Sequence, residues 1–459
     1  MSDNAPTSTV YDLQRNRTGL TLSIGAALLL HTYLFTDLGW RQASLFLVGL
    51  AAGIILYHAA FGFTAAWREV AQTGRSAGLR AQMIMLGTTV VIFTPLIAQG
   101  EIFGIAVRGS VAPLNLGVVC GAFIFGIGMQ LGGGCASGTL FTAGGGNLRM
   151  LVTLSGFIAG SVIGTYHWQN WQSVPGFEPI ALSGQFGVTG GILISLLLFV
   201  SVYLTAAAYE RHRQGNVVAT THVTSPSLLR GPWPLLAGAL ALAAVNVATL
   251  ILAGRPWGVT ASFALWGAKI LGTVGFDISH WAYWARPGLS TTLSNSVFLD
   301  ISSVMNFGIM LGALLAASLA NRFSPSFSIP ARSLLAAVLG GLLLGYGARV
   351  AYGCNIGAYF GGISSTSLHG WLWFAAAFVG SGLGHFGDLA GINENFRVRT
   401  LQLNRKLVDI AFLAAEGGRQ RQRHGPGAHQ RAGTKKRGEF GAGFGHQRNA
   451  VILADAHGH

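Results

Sequence analysis

The chain has 459 residues, of which 51% are hydrophobic and only 10% charged, and its formal net charge is +14. Soluble domains carry roughly 25% charged residues, so too little charge is present here to coat a water-facing surface, and a polytopic membrane protein is expected. The basic excess does not mark a nucleic-acid binder. Much of it lies in about the last forty residues and the rest in short loops between apolar runs, where the positive-inside rule expects it.

The chain opens on a polar segment, 1–18, which leads into an apolar stretch long enough to span and to act as its own uncleaved insertion signal. Apolar runs follow at about 19–37, 43–63, 81–99, 111–131, 150–166, 187–208, 232–253, 301–320, 333–351 and 370–386, each near the ~20 residues a spanning helix needs. A weaker run at about 258–274 suits a short or re-entrant helix. Trp168, Trp171, Trp257, Trp281, Trp284 and Trp371 lie near run ends, as an interfacial tryptophan belt would.

This divides the chain into a first membrane half, 19–208, a basic loop, 209–231, and a second membrane half, 232–390. A basic tail, 391–459, reads as largely disordered and is given no role. Arg15, Arg17, Arg68, Arg75, Arg80, Arg211, Arg213 and Arg230 fall in loops separated by even numbers of runs, so all can share the cytoplasmic side. Arg322, Arg332, Arg397 and Arg399 join them if 258–274 does not cross.

One motif occurs twice. The first copy, at 121–141, reads Gly121-x4-Gly126-x-Gly128-x5-Gly134-Cys135-x2-Gly138-x2-Phe141. The second, at 340–360, reads Gly340-x4-Gly345-x-Gly347-x5-Gly353-Cys354-x2-Gly357-x2-Phe360, with no gap between the two spacings. With a one-residue shift the match resumes at Gly160-Ser161-x2-Gly164 and Gly380-Ser381-x2-Gly384. By the charge bias, the helix before Cys135 runs inward and the helix before Cys354 runs outward, which makes an inverted repeat. Transporters built this way bind substrate at the repeat interface.

Gly160, Gly164, Gly380 and Gly384 fit close helix packing without any chemistry. The Gly132-Gly133-Gly134-Cys135 cluster instead weakens a helix, so each copy is expected to be a short helix, a break and a second short helix. The bare N–H groups of a half-helix favour an anion and polarise a cysteine placed there. Gln130 and Arg349 occupy matching positions, and Arg349 is either a substrate contact or an interfacial cation. Asn355 either donates to substrate or caps the break. Cys120 has Leu339 as its counterpart and is either core or an entrance relay. Arg149 and His369 read as interfacial. The three cysteines lack disulfide or metal spacing, no phosphate loop is present, and no cofactor is expected.

The segments GAFIFGIGMQLGGGCASGTLF and GLLLGYGARVAYGCNIGAYFGGISSTSLHGWLW resemble the YeeE/YedE family of sulphur-transport membrane proteins, and the resemblance extends over about 20–390. It implies an all-α, multi-pass bundle in a bacterial inner membrane that imports thiosulfate or a related sulphur-containing anion. It also implies a path in which the S–H groups of Cys135 and Cys354, and less directly Cys120, meet the substrate's terminal sulphur. Gly134, Gly353, Gln130, Arg349 and Asn355 complete the expected path. Expected partners are the sulphur anion and the lipid bilayer, with a place for a soluble sulphur-carrier or sulfurtransferase protein. The rival readings are a membrane sulfurtransferase carrying a persulfide, a transporter of a selenium compound, and a structural subunit with inert cysteines.

Overall fold

In the computed structural model, residues 6–221, 227–325 and 327–387 are described, and every one of the ten apolar runs is helical. The helices are α1 (Pro6–Asp37), α2 (Trp40–Ala59), α3 (Phe63–Thr73), α4 (Ala77–Gln99), α5 (Leu116–Gly132), α6 (Ala136–Gly144), α7 (Leu148–Tyr166) and α8 (Leu182–Gln214). They continue as α9 (Leu235–Ala253), α10 (Ala261–Thr273), α11 (Leu289–Ser294), α12 (Ile301–Leu319), α13 (Ala331–Val350), α14 (Gly361–Ser364) and α15 (Leu368–Gly387). Among the described residues, nine helical stretches are long and apolar enough to cross a membrane, and α15 occupies the tenth run. The chain is therefore a multi-pass membrane protein. The weak run at 258–274 forms α10, whose 13 residues span about 20 Å, short of a bilayer core of about 30 Å. The expected tail, 391–459, lies outside the described residues.

Contacts between loops define two ends of the bundle. At the upper end, Arg41 donates to the Leu252 carbonyl, the Arg108 amide to Gly254, the Leu116 amide to Pro175 and the Leu182 amide to Thr366. At the lower end, the Phe323 amide donates to Asn16, the Trp233 amide to His58 and the Leu236 amide to Thr220. The lower end also carries a buried ion pair, Arg80 to Glu210 at 3.0 Å, with the Ser76 hydroxyl donating to the same carboxylate at 2.7 Å.

The two halves are related by a two-fold exchange. α7 packs on α13 as α15 packs on α5; α12 packs on α2 as α4 packs on α9; α10 packs on α7 as α3 packs on α15. Backbone approach at the motif glycines shows the sense of this exchange. A Cβ on Gly121 would come 2.7 Å from the Ala351 nitrogen, one on Gly128 2.8 Å from the Leu344 nitrogen, and one on Gly340 would strike Gly132. Low numbers on α5 thus face high numbers on α13, so the two motif helices are antiparallel and the repeat is inverted. The downstream glycines repeat the pattern: a Cβ on Gly160 would lie 2.9 Å from the Leu342 carbonyl carbon, and one on Gly380 2.9 Å from that of Phe123. Small residues hold these helices together because lipid tails are as apolar as leucine and offer no hydrophobic gain for association.

The exchange is broken in one place. α3 and α4 are joined by three residues, Gly74-Arg75-Ser76, whereas α10 and α12 are separated by a long segment carrying α11. That segment builds its own apolar cluster at the upper end, with Ile278, Tyr283 and Trp284 packed on Ala264, Leu265 and Ala268 of α10. Trp284 (2% exposed) and Trp257 (1% exposed) are core residues here, which corrects their expected place in an interfacial belt.

Candidate functional site

The site begins where α5 and α13 stop. α5 starts on Asn115, whose side chain accepts from the Val118 amide at 3.0 Å, and ends at Gly133, whose φ of +85° needs a residue without a Cβ. In the second copy the residue at the same place is Tyr352, held at φ +59°. A tyrosine in the left-handed region is strained, and such strain gathers at functional positions. Each break is therefore built by the same backbone turn from different residue types.

After each turn comes the cysteine. The Cys135 sulphur accepts from the Gly138 amide at 3.4 Å and lies 3.5 Å from the Ser137 hydroxyl, so it caps α6. Cys354 leads into a π-helical segment, Asn355–Phe360, which runs directly into α14. π-helical geometry is rare and is found mostly at functional sites. The two cysteines are 2% and 0% exposed and share one apolar core. α6, which Cys135 caps, packs against the π-helical segment that follows Cys354. The two breaks, entering from opposite ends, thus converge. Cys120 stands apart: it is half-buried on the first turns of α5 and outside the core that holds the other two thiols. Gly134 and Gly353 are both buried beside their cysteines.

Asn355 is the unusual neighbour. It is 0% exposed, and neither its amide nitrogen nor its amide oxygen has a hydrogen-bond partner among the described residues. It therefore does not cap the break. An unpaired buried amide is expensive and is normally satisfied by a ligand or water. Four residues on, Tyr359 donates to the Gln82 Oε1 atom at 3.2 Å, and Trp67 donates to the same oxygen at 3.1 Å. These bonds tie the π-helical segment to α3 and α4, and Gln82 was not visible from sequence because a lone glutamine in an apolar run carries no spacing signal.

Gln130 and Arg349 lie at equivalent places: a Cβ on Gly384 would sit 3.2 Å from the Gln130 Cβ, and one on Gly164 2.6 Å from that of Arg349. Their chemistry is nearer than their names suggest. Arg68 of α3 donates to the Gln130 Oε1 atom at 2.8 Å, so a guanidinium stands behind both motif helices. Arg349 donates to the Tyr283 hydroxyl at 2.9 Å and to the Thr260 hydroxyl at 2.7 Å. The expected inequality of the halves is reduced accordingly, because the cation missing at Gln130 arrives from another element.

Arg149 and His369 are also corrected. Arg149 is 5% exposed rather than interfacial, and donates to the Leu131 and Gly132 carbonyls, both at 2.8 Å, and to the Ser333 hydroxyl at 2.8 Å. It supplies the orphan carbonyls at the end of α5, which lipid could not. His369 is 0% exposed and pairs with the Ser367 hydroxyl at 2.7 Å. Replacing Arg149 with methionine leaves the Leu131 carbonyl without this donor, while the Gly132 carbonyl keeps the Thr153 hydroxyl at 3.1 Å, at a cost of about 1–3 kcal/mol. The expected result is a lower melting temperature in detergent together with faster alkylation of Cys135 by a small thiol reagent. An unchanged alkylation rate would show that Arg149 does not hold the break.

A family described as sulphur transport matches residues 58–383. The probable transporter YedE of Escherichia coli is 30% identical over 152 residues, 33% of this chain and 37% of the relative. The YedE of Salmonella typhimurium is 35% identical over 133 residues, 29% of this chain and 32% of the relative. The chain thus matches about a third of the length of these two relatives. The thiosulfate transporter TsuA of Spirochaeta thermophila is 28% identical over 342 residues, which cover 71% of this chain and 92% of the relative.

Proposed function

The chain belongs to the sulphur transport family, and from that premise we propose that it imports thiosulfate, or a closely related sulphur-containing anion, along a path lined by Cys135 and Cys354. The observation that carries this reading is the convergence of two buried thiols on helix breaks that enter from opposite ends. The TsuA relative, named for thiosulfate transport, supports the choice of substrate. The arginine bias of the lower end supports a cytoplasmic lower end in a bacterial inner membrane, with substrate approaching Cys354 first.

Thiosulfate is a dianion with three hard oxygens and one soft sulphur. The Asn355 amide suits a sulphonate oxygen, and a thiol S–H is a weak donor matched to the soft sulphur. Weak, successive contacts release what they bind, as conduction requires. Arg349, in the last turn of α13 before Cys354, offsets charge at one end of the path, and the Arg68–Gln130 pair does so behind the other. Gly134 and Gly353 let the following turn close on each thiol, since a Cβ there would come 3.2 Å from the Thr139 nitrogen and 2.8 Å from the Ala358 nitrogen. Cys120 stands on the approach to Cys354 along the upper half of α5. No persulfide step is needed, so the protein is a carrier of intact anion rather than a sulfurtransferase. A soluble sulphur-carrier or sulfurtransferase protein then receives what is delivered.

The test is uptake by cells without other importers, using thiosulfate labelled separately at its inner and outer sulphur. Equal accumulation of both labels is expected. Delivery of the outer sulphur alone would establish the sulfurtransferase reading, and a selenium analogue taken up in preference to thiosulfate would reassign the substrate.

A further inference from the structure

The second motif copy is one residue longer than the first. Through the motif the two copies match without a gap, and beyond it they match only with a shift of one. After Cys135 come the nine residues of α6, three connecting residues and then α7. After Cys354 come the six residues of the π-helical segment and the four of α14, again three connecting residues, and then α15. The surplus residue therefore falls inside the helix that follows the cysteine, and a π turn, closed by an i→i+5 bond, takes up one extra residue without shifting either side. The hydrogen bonds agree. The Cys135 carbonyl accepts from the amide four residues on, Thr139 at 2.8 Å. The Cys354 carbonyl accepts from Ala358 at 2.9 Å and also from Tyr359, five residues on, at 3.3 Å.

The turn leaves the two thiols differently engaged. The Cys135 sulphur caps α6, whereas the Cys354 side chain makes no cap hydrogen bond, and the Asn355 amide beside it is buried without a partner among the described residues. A π turn is rare and persists only where its surroundings hold it. Here they hold the residue that closes it. The Tyr359 ring is buried among Phe63, Trp67 and Phe374, at centroid distances of 5.9, 5.7 and 5.1 Å. Its hydroxyl donates to the Gln82 Oε1 atom at 3.2 Å, and Trp67 fixes that oxygen from the other side at 3.1 Å. The first copy has no such tie. Leu140 stands at the place of Tyr359 and has no polar group. Asn306, on α12 where Gln82 is on α4, donates instead to the Val259 carbonyl and the Ser262 hydroxyl, at 3.0 and 2.6 Å.

We propose that Gln82 is a positioning residue: through the Tyr359 hydroxyl it holds the π turn on Cys354, which keeps that thiol and the Asn355 amide free to meet substrate. The inference rests on the transport reading for its purpose, but not for its geometry. Without the tie, the segment relaxes towards the α form of the first copy. The Cys354 sulphur is then drawn onto the Gly357 amide, as the Cys135 sulphur is drawn onto that of Gly138 at 3.4 Å.

Two readouts test this. One is the rate at which methyl methanethiosulfonate labels Cys354 in purified protein whose other two cysteines are replaced by alanine. The other is the apparent KM for thiosulfate uptake by cells. Tyr359→Phe removes the hydroxyl and keeps the ring, and Gln82→Met removes the acceptor. Each should slow labelling and raise KM by about three- to tenfold, the worth of one hydrogen bond. The double variant should do no more than Gln82→Met alone, because both changes break the same bond. Deleting Ala358 removes the surplus residue, so it should slow labelling likewise while melting no lower than wild type. Wild-type labelling and KM in Tyr359→Phe, or effects of the two substitutions that add, would overturn the positioning role. A deletion variant that melts well below wild type would overturn the assignment of the surplus to this turn. Slower labelling in the variants of a protein that carries no thiosulfate into cells would uphold the tie and remove the transport reading instead.

Discussion

Cys354→Ala and Cys135→Ala are each expected to lower thiosulfate uptake about ten- to a hundredfold while leaving the protein folded. Both thiols are buried in apolar surroundings, and alanine offers a passing dianion no donor there. A hydrogen bond to a charged group is worth about 1.5–3 kcal/mol. A loss of about 3 kcal/mol is a factor of roughly a hundred. Stability should change little, because a cysteine behaves as a small hydrophobe and its loss opens only a small void. Serine keeps a donor at the same place but replaces a soft, polarizable atom with a hard one, so Cys354→Ser should recover part of the uptake. Rates are to be read by initial uptake of labelled thiosulfate, normalised to protein in the membrane. Wild-type rates in both alanine variants would remove the thiols from the path. Cys120→Ala, on a half-buried residue away from the shared core, should cost far less.

Gly347→Leu should be strongly destabilising. A Cβ at Gly347 would already lie 2.8 Å from the Phe125 nitrogen, 3.1 Å from the Phe125 Cβ and 2.5 Å from the Gly121 carbonyl. Two of the three obstacles are backbone and cannot rotate away. Overpacking commonly costs about 1–3 kcal/mol, and a whole leucine wedged between two antiparallel backbones belongs at or above the top of that range. Uptake should fall with stability, since separating α5 from α13 also separates the two breaks. Gly128→Leu, the equivalent change on α5, where a Cβ would lie 2.8 Å from the Leu344 nitrogen, should cost a similar amount. Gly382→Leu on α15, where a Cβ would meet nothing within 4 Å, is the control and should melt like wild type. Equal melting of Gly347→Leu and Gly382→Leu would contradict the close approach.

Much of this was legible before any coordinates. Ten apolar runs, a charge bias and two Gly-Cys segments of identical spacing are local or periodic features, and hydropathy in a bilayer is close to a one-dimensional code because every span must satisfy its own backbone. The sequence by itself therefore determined that the chain crosses a membrane, that it is an inverted repeat, and that its helices break at Cys135 and Cys354. It could not place residues whose partners lie far along the chain. Arg149 and His369 read as interfacial because each flanks the start of a helix, yet the packing of α7 and α15 buries both. Gln130 read as the uncharged counterpart of Arg349 because Arg68, which completes it, sits on another helix. Tyr283 lies in loop sequence with no periodicity and meets Arg349 only when the upper end closes. The physical reason is the same each time. Burial and helix breaks follow from hydrophobicity and glycine along the chain, whereas the pairing of polar groups in a low-dielectric interior is decided by which elements pack together, and only the tertiary structure decides that.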